Sequence, residues 1–513
     1  MKKIYMFMAA AAIVSLTSCD LDLYPQTGYN EGNVDVDEET ESQYTTKEDM
    51  AGLVDAMYNS WLKSNVMQEG IFLDGMVFAE CRADNAYGGN PATGELMAIE
   101  ANKQDGDNLN VKRDWEYYQQ AVGYANQIVC NIDRIKETDP SMTEMQYKHW
   151  KSQGLCMKAY ALFQMSYIWG DIPVQNSIPP AITAENVEEV YFEYYPPRTP
   201  KDDVFKQLID DLTWAAENGP EVDPSNKYLL SKAFAHGMLA RVYAEKSAHR
   251  DWNKVIEHCE AVEAMGFTLC DDYGQMWAYD DNDAVRNTSE SIFEVTWTRD
   301  QGNWIWMMYH RNYYSPNDQY DWIKWITPSR DLIAAYAAEG DTERANACIT
   351  YDQTGISPTS AWSNYYPAER YAFMHKCPTN ASSTILMRLG EIYLLHAEAL
   401  CMTGDLAGST EYVNKIRRRA GIKEISVPAG QDAMLDAVLH ERRLELAFEG
   451  FRFWDLVRHG KAKEVHDAMS DPSSPRYDKY WQKRRPLTDD TILMPIPQKA
   501  LENNPSLVQN PGY

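Results

Sequence analysis

The sequence predicts a mainly α-helical protein, and three observations carry that prediction. Beyond residue 43 apolar residues recur at helical spacing, as in Met50, Leu53, Val54, Met57, Tyr58, Trp61 and Leu62. Residues 231–265 and 388–420 each read as a pair of helices close to the ~34-residue length of a tetratricopeptide unit. A short strand pattern occurs at Ser291-Ile292-Phe293-Glu294-Val295-Thr296-Trp297, inside a long irregular stretch. The expected architecture is therefore TPR-like helix pairs joined by long loops with a few short strands.

The N-terminus reads as an address. Lys2 and Lys3 precede an uncharged run, Ile4 to Leu16, too short to span a bilayer as a helix. Leu16-Thr17-Ser18-Cys19 closes it and resembles a bacterial lipoprotein box. That resemblance implies a signal peptide over 1–18, cleavage before Cys19 and lipidation of that cysteine. Residues 19–43 are rich in Asp and Glu and poor in apolar residues, the composition of a solvated tether. A single domain is expected over 44–513.

Thr46 is placed as an N-cap with Asp49 as the acidic partner of a capping box. Trp115, Tyr118, Val122, Ala125, Val129 and Ile132 form a second apolar stripe, which assigns Trp115 to the core. Leu155, Ala159, Leu162 and Phe163 form a third, ended by Gly170 and Pro173. Thr199-Pro200 opens a fourth, with Asp202 at the capping position and Gly219-Pro220 as its stop. The two helix pairs turn near Arg250-Asp251 and Gly404-Asp405, with small Ala240 and Ala397 at their crossings. One last long helix is expected over 432–457. Residues 270–330 and 350–383 are insertions too long to be mere connectors.

Composition excludes some functions. The chain has 513 residues, 44% of them hydrophobic, enough for a substantial core. Its 48 basic and 76 acidic residues give a net charge of −28, which repels phosphate backbones and argues against nucleic acid. The densest basic run, Arg417-Arg418-Arg419, falls inside a helical pattern. None of the nine cysteines forms a C-x-x-C pair; Cys130, Cys156, Cys259 and Cys401 read as small apolar residues on helices. His440-Glu441 begins like a zinc-peptidase motif, but Leu444 stands where the second histidine belongs. There is no phosphate loop, nucleophile elbow or dinucleotide fingerprint. No cofactor is expected, although Asp280, Asp281, Asn282 and Asp283 are compatible with a surface calcium ion.

An aromatic cluster stands out instead. Trp297, Trp304, Trp306, Tyr309, Tyr313, Tyr314, Tyr320, Trp322 and Trp325 lie close together, interleaved with Asn, Asp, Gln and Arg. Flat rings stack on the apolar faces of sugars, while the polar groups bond the hydroxyls. Any one ring taken alone reads better as packing, since most aromatics are core; the cluster as a whole reads as a binding surface.

Several stretches resemble the SusD/RagB family of outer-membrane lipoproteins. Glu441 to Arg458 matches its E-R-R-x-E-L-A-F-E-G-x-R-x-x-D-L-x-R segment. Met494-Pro495-Ile496-Pro497 and Gln509-Asn510-Pro511-Gly512-Tyr513 match its closing signatures. Lys158-Ala159-Tyr160 with Trp169-Gly170-Asp171-Ile172-Pro173, Ala397-Glu398-Ala399 and Arg417 to Gly421 match others in family order. The resemblance implies four TPR-like helix pairs carrying an irregular binding face. It implies a cell-exterior, lipid-anchored, non-catalytic protein that captures glycan for a SusC-like TonB-dependent transporter. By region it points to Arg82, Asp84, Asn85 and Tyr87, and to Trp304, Trp306, Tyr309, Tyr313 and Tyr314, as ligand-binding candidates. The charged residues of 441–458 read better as internal ion pairs than as an acid–base array. Two alternatives stay open: a surface glycoside hydrolase using a carboxylate pair, and a transporter lid with peptide or glycoprotein cargo.

Overall fold

The structure is a computed structural model. It describes residues 44–64, 68–88, 94–183, 185–280, 283–303, 306, 326–352, 371–481 and 484–513. Cys19 and the flanking signal and tether lie outside these residues. Among the described residues no helix is long and apolar enough to cross a membrane.

Helix α1 (Lys47–Ala56) starts as its sequence demands. The Asp49 amide donates to Thr46 Oγ1 at 3.1 Å, and the Thr46 amide donates back to Asp49 Oδ2 at 2.9 Å. Two long helices follow, α2 (Leu109–Thr138) and α3 (Glu144–Trp169), packed along each other. Their contact is close because Gly154 faces Ile128; a Cβ there would lie 3.0 Å from the Ile128 side chain. Trp115 is core, as expected, with its ring edge-on to Trp169 at 5.2 Å.

Helices α4 (Lys201–Asn218), α5 (Lys232–Ala244) and α6 (Trp252–Glu263) continue the array. It is completed by α7 (Leu389–Thr403), α8 (Leu406–Arg419) and α9 (Gln431–Glu445). From α2 to α8 each helix packs on its predecessor, and α9 packs on α7. The turns in the two pairs follow the expected chemistry. Asp251 caps α6, its carboxylate accepting from the Asn253 amide at 2.9 Å. Gly404 takes the left-handed conformation at φ 95° that ends α7, and Asp405 caps α8. Asp202 departs from expectation. It does not cap α4; its carboxylate accepts from the Ala248 amide at 2.9 Å and ties α4 to the turn after α5.

Two further expectations are corrected. The last helix is not continuous over 432–457. It stops at Glu445 and restarts as α10 (Arg452–Arg458), because Phe448 (φ 63°) and Gly450 (φ 86°) take left-handed conformations. Cys130 is exposed rather than packed, although Cys156, Cys259 and Cys401 are buried; all eight cysteines after Cys19 are free.

Apart from a two-residue pair, Ile172–Pro173 with Arg198–Thr199, the described strands are β1 (Ala86–Gly88), β2 (Ser291–Val295), β3 (Ile326–Pro328), β4 (Ile349–Asp352), β5 (Tyr371–Met374) and β6 (Thr384–Arg388), all short. They pair antiparallel as β1 with β3, β2 with β6 and β4 with β5. Residue 291–295 strand formation was expected; the partners, tens of residues away, were not legible.

Candidate functional site

The C-terminal charges are ion pairs, as their helical spacing predicted. Glu445 accepts from Arg388 at 2.6 Å and Arg344 at 3.1 Å, and pairs with Arg419. Glu441 joins Arg344 at 2.6 Å to Arg417 at 2.8 Å. Glu449 pairs with Arg388 at 2.8 Å and Lys376 at 2.5 Å. Burial would push the Glu445 carboxyl up, but Arg419, Arg388 and Arg344 outweigh it and hold it far below the usual carboxylate range. Each acid here is committed to a cation, so the array has no spare carboxylate for proton transfer.

This network also consumes the first group of expected ligand residues. Arg82, Asp84, Asn85 and Tyr87 are all buried, Asp84 completely. Asp84 accepts from Arg452 at 2.7 Å and from Arg476 at 2.6 Å. Burial would raise its carboxyl, yet Arg443, Arg452 and Arg476 hold it well below normal. Asn85 donates to Glu80 at 2.7 Å and accepts from Arg443 at 2.8 Å. The Tyr87 hydroxyl donates to Asp478, and the Arg82 guanidinium covers the Phe453 ring at 4.1 Å. These four side chains are corrected from surface ligand groups to internal anchors. Polar residues in a loop-like stretch read as exposed; their buried partners lie hundreds of positions away.

The anchoring has a consequence for the insertions. Segment 82–88 holds β1, β1 pairs with β3, and β3 packs against β5. Tyr87 lies opposite Thr327, and Ile349 opposite Met374. Three stretches thus have their roots in neighbouring strands: the one after Gly88, the one ending at Ile326 and the one between Asp352 and Tyr371. The second carries the aromatic cluster. Trp306 is half-buried and packs against the core. Trp304, Tyr309, Tyr313 and Tyr314 lie outside the described residues, and Trp297 is buried.

A chamber of about 130 Å³ is lined in part by Met374 of β5 and by Thr384, Ile385 and Leu386 of β6. Tyr160 and Tyr167 of α3, Trp277, Phe451 and Trp454 line it, with Asn303 and Met374 at the strand side. Arg241 and Arg442 lie over the Phe451 ring at 5.2 and 5.9 Å. Arg442 is held by Asp455 at 2.9 Å. The chamber is smaller than the ~300–1,000 Å³ that encloses a drug-sized ligand. A larger groove of about 460 Å³ lies between α9 and the Arg330–Glu339 helix, but no Trp, Tyr or Phe lines it, and its arginines are spent on Asp84 and Asp331.

Sequence reading missed Tyr279. It is 41% exposed and stands edge-on to His375 at 6.3 Å, just beyond β5. It lies in the 270–330 insertion but outside the dense cluster, so its only signal was regional. The calcium-compatible run does not assemble a visible site. Asp283 is paired with Arg286, Asp281 and Asn282 lie outside the described residues, and no described cluster of three metal-ligating side chains occurs.

Two family models match, one described as the SusD family over residues 375–513 and one as "Starch-binding associating with outer membrane" over 34–244. Between them they span more than half of the chain, in order. The chain belongs to the SusD family. A curated relative, SusD-like protein P2 of Formosa agariphila, is 24% identical, covering 92% of this chain and 94% of that one. A SusD superfamily structure from Bacteroides vulgatus aligns with a TM-score of 0.72 at 18% identity, covering 92% of this chain and 100% of that one. A laminarin-binding SusD-like protein aligns with a TM-score of 0.70 at 21% identity, with the same coverages. The SusD fold is thus the mainly helical array described above, and carbohydrate binding is the family's character. One of these solved structures is named for laminarin binding, and one family description names starch binding in association with the outer membrane.

Proposed function

We propose that this SusD-family protein is a non-catalytic, cell-surface glycan-capture lipoprotein. It is anchored in the outer membrane through Cys19 and passes oligosaccharide to a SusC-like TonB-dependent transporter. The observation that carries the reading is the convergence of three insertion roots, one bearing the aromatic cluster, on adjacent strands. The aromatic-lined chamber is too small for an oligosaccharide. Capture therefore belongs to the face that the insertions form, with Trp304, Tyr309, Tyr313, Tyr314 and Tyr279 as stacking rings and Trp306 as the ring that ties the insertion to the core. Weak single-site binding by stacking suffices where the transporter retains the ligand.

Affinity electrophoresis of residues 20–513 in gels containing neutral and acidic polysaccharides tests this reading. Retardation by a neutral glucan such as laminarin is the expected result, because the net charge of −28 disfavours strongly anionic chains. No retardation by any glycan would refute sugar capture and favour peptide cargo. Release of reducing ends by the purified protein would refute the non-catalytic assignment.

A further inference from the structure

Where α10, the Ala462–Ser470 helix and the segments 80–82 and 478–487 meet, buried hydrogen-bond donors face no acceptor. Arg82 is 2% exposed. Its Nη2 donates to the carbonyls of Thr491 at 2.7 Å and Ile492 at 3.0 Å, while Nε and Nη1 have no partner. No carboxylate among the described residues forms an ion pair with it. Trp481 is fully buried with its indole N–H unpartnered. Arg484 lies over that indole at 3.6 Å, and its Nε is unpartnered too. His466 stands 5.7 Å from the same ring; its Nε2 meets no partner, and its Nδ1 is 3.7 Å from Asp467, beyond hydrogen-bond reach.

The nearby groups do not answer this demand. Glu100 engages Arg484 through Oε1 at 2.6 Å and forms no ion pair with Arg82, although its Oε2 is without a partner, and the Tyr513 hydroxyl donates to the Leu493 carbonyl at 2.9 Å. The junction is left with one uncompensated cation, Arg82, and several donors without an acceptor. Burial lowers the Arg82 guanidinium to about 10, so it is still charged at neutral pH. Burial first, then Arg484, push the His466 imidazole down to about 4, and Arg82 adds to that effect, so the ring stays neutral. A buried charge without a counter-ion is strongly unfavourable, and unmet buried donors are rare in native proteins. Water would accept from the donors but bring no charge; a small anion meets both needs.

We propose that this junction binds one small monovalent inorganic anion, chloride in ordinary media, with Arg82 as its counter-charge and Trp481 and Arg484 as further donors. The anion joins the C-terminal segment 478–513 to the segment that leads into β1. The proposal does not depend on what the glycan face binds.

Crystals of residues 20–513 soaked in sodium bromide test it directly. An anomalous peak within hydrogen-bond distance of Arg82 Nη1 or Trp481 Nε1 is expected; an ordered water or nothing there overturns the proposal. Thermal melts in chloride or bromide against gluconate, matched at about 0.15 M, should show a halide-specific rise of roughly 2–4 °C. Arg82→Met should abolish that difference. A halide effect undiminished in Arg82→Met also overturns the proposal. If that variant does not fold, the bromide peak in the unaltered protein decides alone.

Discussion

The helical array from α2 to α6 and the C-terminal module from α7 to α10 bury similar kinds of surface but are specified differently. The array is held mainly by apolar faces: Leu208, Leu212, Phe234, Leu239, Val255 and Val262 are all buried there. The C-terminal module is held by guanidinium–carboxylate pairs placed inside the protein, with Arg344, Arg388 and Glu445 almost inaccessible. Apolar packing tolerates loss of volume in proportion to the cavity left. A buried ion network does not, because removing one member strands the others. The difference teaches that a run of charges on a helix need not face water, and that polar candidates next to such a run belong to it.

The largest expected effect breaks the network. Glu445→Ala would remove the one carboxylate that Arg344, Arg388 and Arg419 share, leaving the buried cations and acids out of balance, and should cost roughly 3–5 kcal/mol by urea unfolding, or abolish folding. Asp84→Ala should cost about the same, and both should leave soluble protein scarce on expression. If either variant loses less than about 1 kcal/mol, the network is not what holds this module. The matching change in the array, Leu239→Ala, should cost roughly 2–4 kcal/mol through the cavity it leaves.

Acid should separate the regions in two stages. His258 on α6 is pushed down to about 4 by burial and then by His236, and His466 falls to about 4 as well. A histidine with a depressed folded value contributes stability above its unfolded value of about 6.5 that is lost as pH falls toward 4. Each should cost roughly 1–2 kcal/mol by pH 5, and His258→Asn should flatten that part of the profile. Glu445 and Asp84 are held low by arginines, so their contribution persists to the unfolded value near ~4 and is lost only below it. A profile flat from pH 7 to 5 would contradict the histidine assignment.

The smallest effect on stability should come with the largest effect on ligand. Trp304→Ala with Tyr309→Ala should abolish retardation in the glucan gel and move the melting temperature by less than about 1 °C, the response expected of rings that serve the ligand rather than the packing. Trp306→Ala should lower both, because that ring packs on the core. Unchanged retardation in the first variant would remove those rings from the site.

How much of the site was legible follows the same division. The helix pairs at 231–265 and 388–420 emerged with their turns because periodicity, capping residues and Gly404 are local signals. The break at 446–451 was not legible, since the left-handed Phe448 is imposed by its surroundings. Asp202 and Cys130 were misread for a like reason: capping and burial depend on what packs against the helix. Arg82, Asp84, Asn85 and Tyr87 were placed at the surface because nothing in residues 82–87 announces that Arg443, Arg452, Arg476 and Asp478 will surround them.

The sequence by itself determined the helical class, the family motifs and the acidic charge. These reside in spacing along one chain, where neighbours three or four positions apart share a face. The tertiary structure alone decided that the insertion roots come together and that Arg82 is buried with no counter-ion among the described residues. Those depend on contacts between residues hundreds of positions apart, and periodicity carries no information about which distant face a residue will meet.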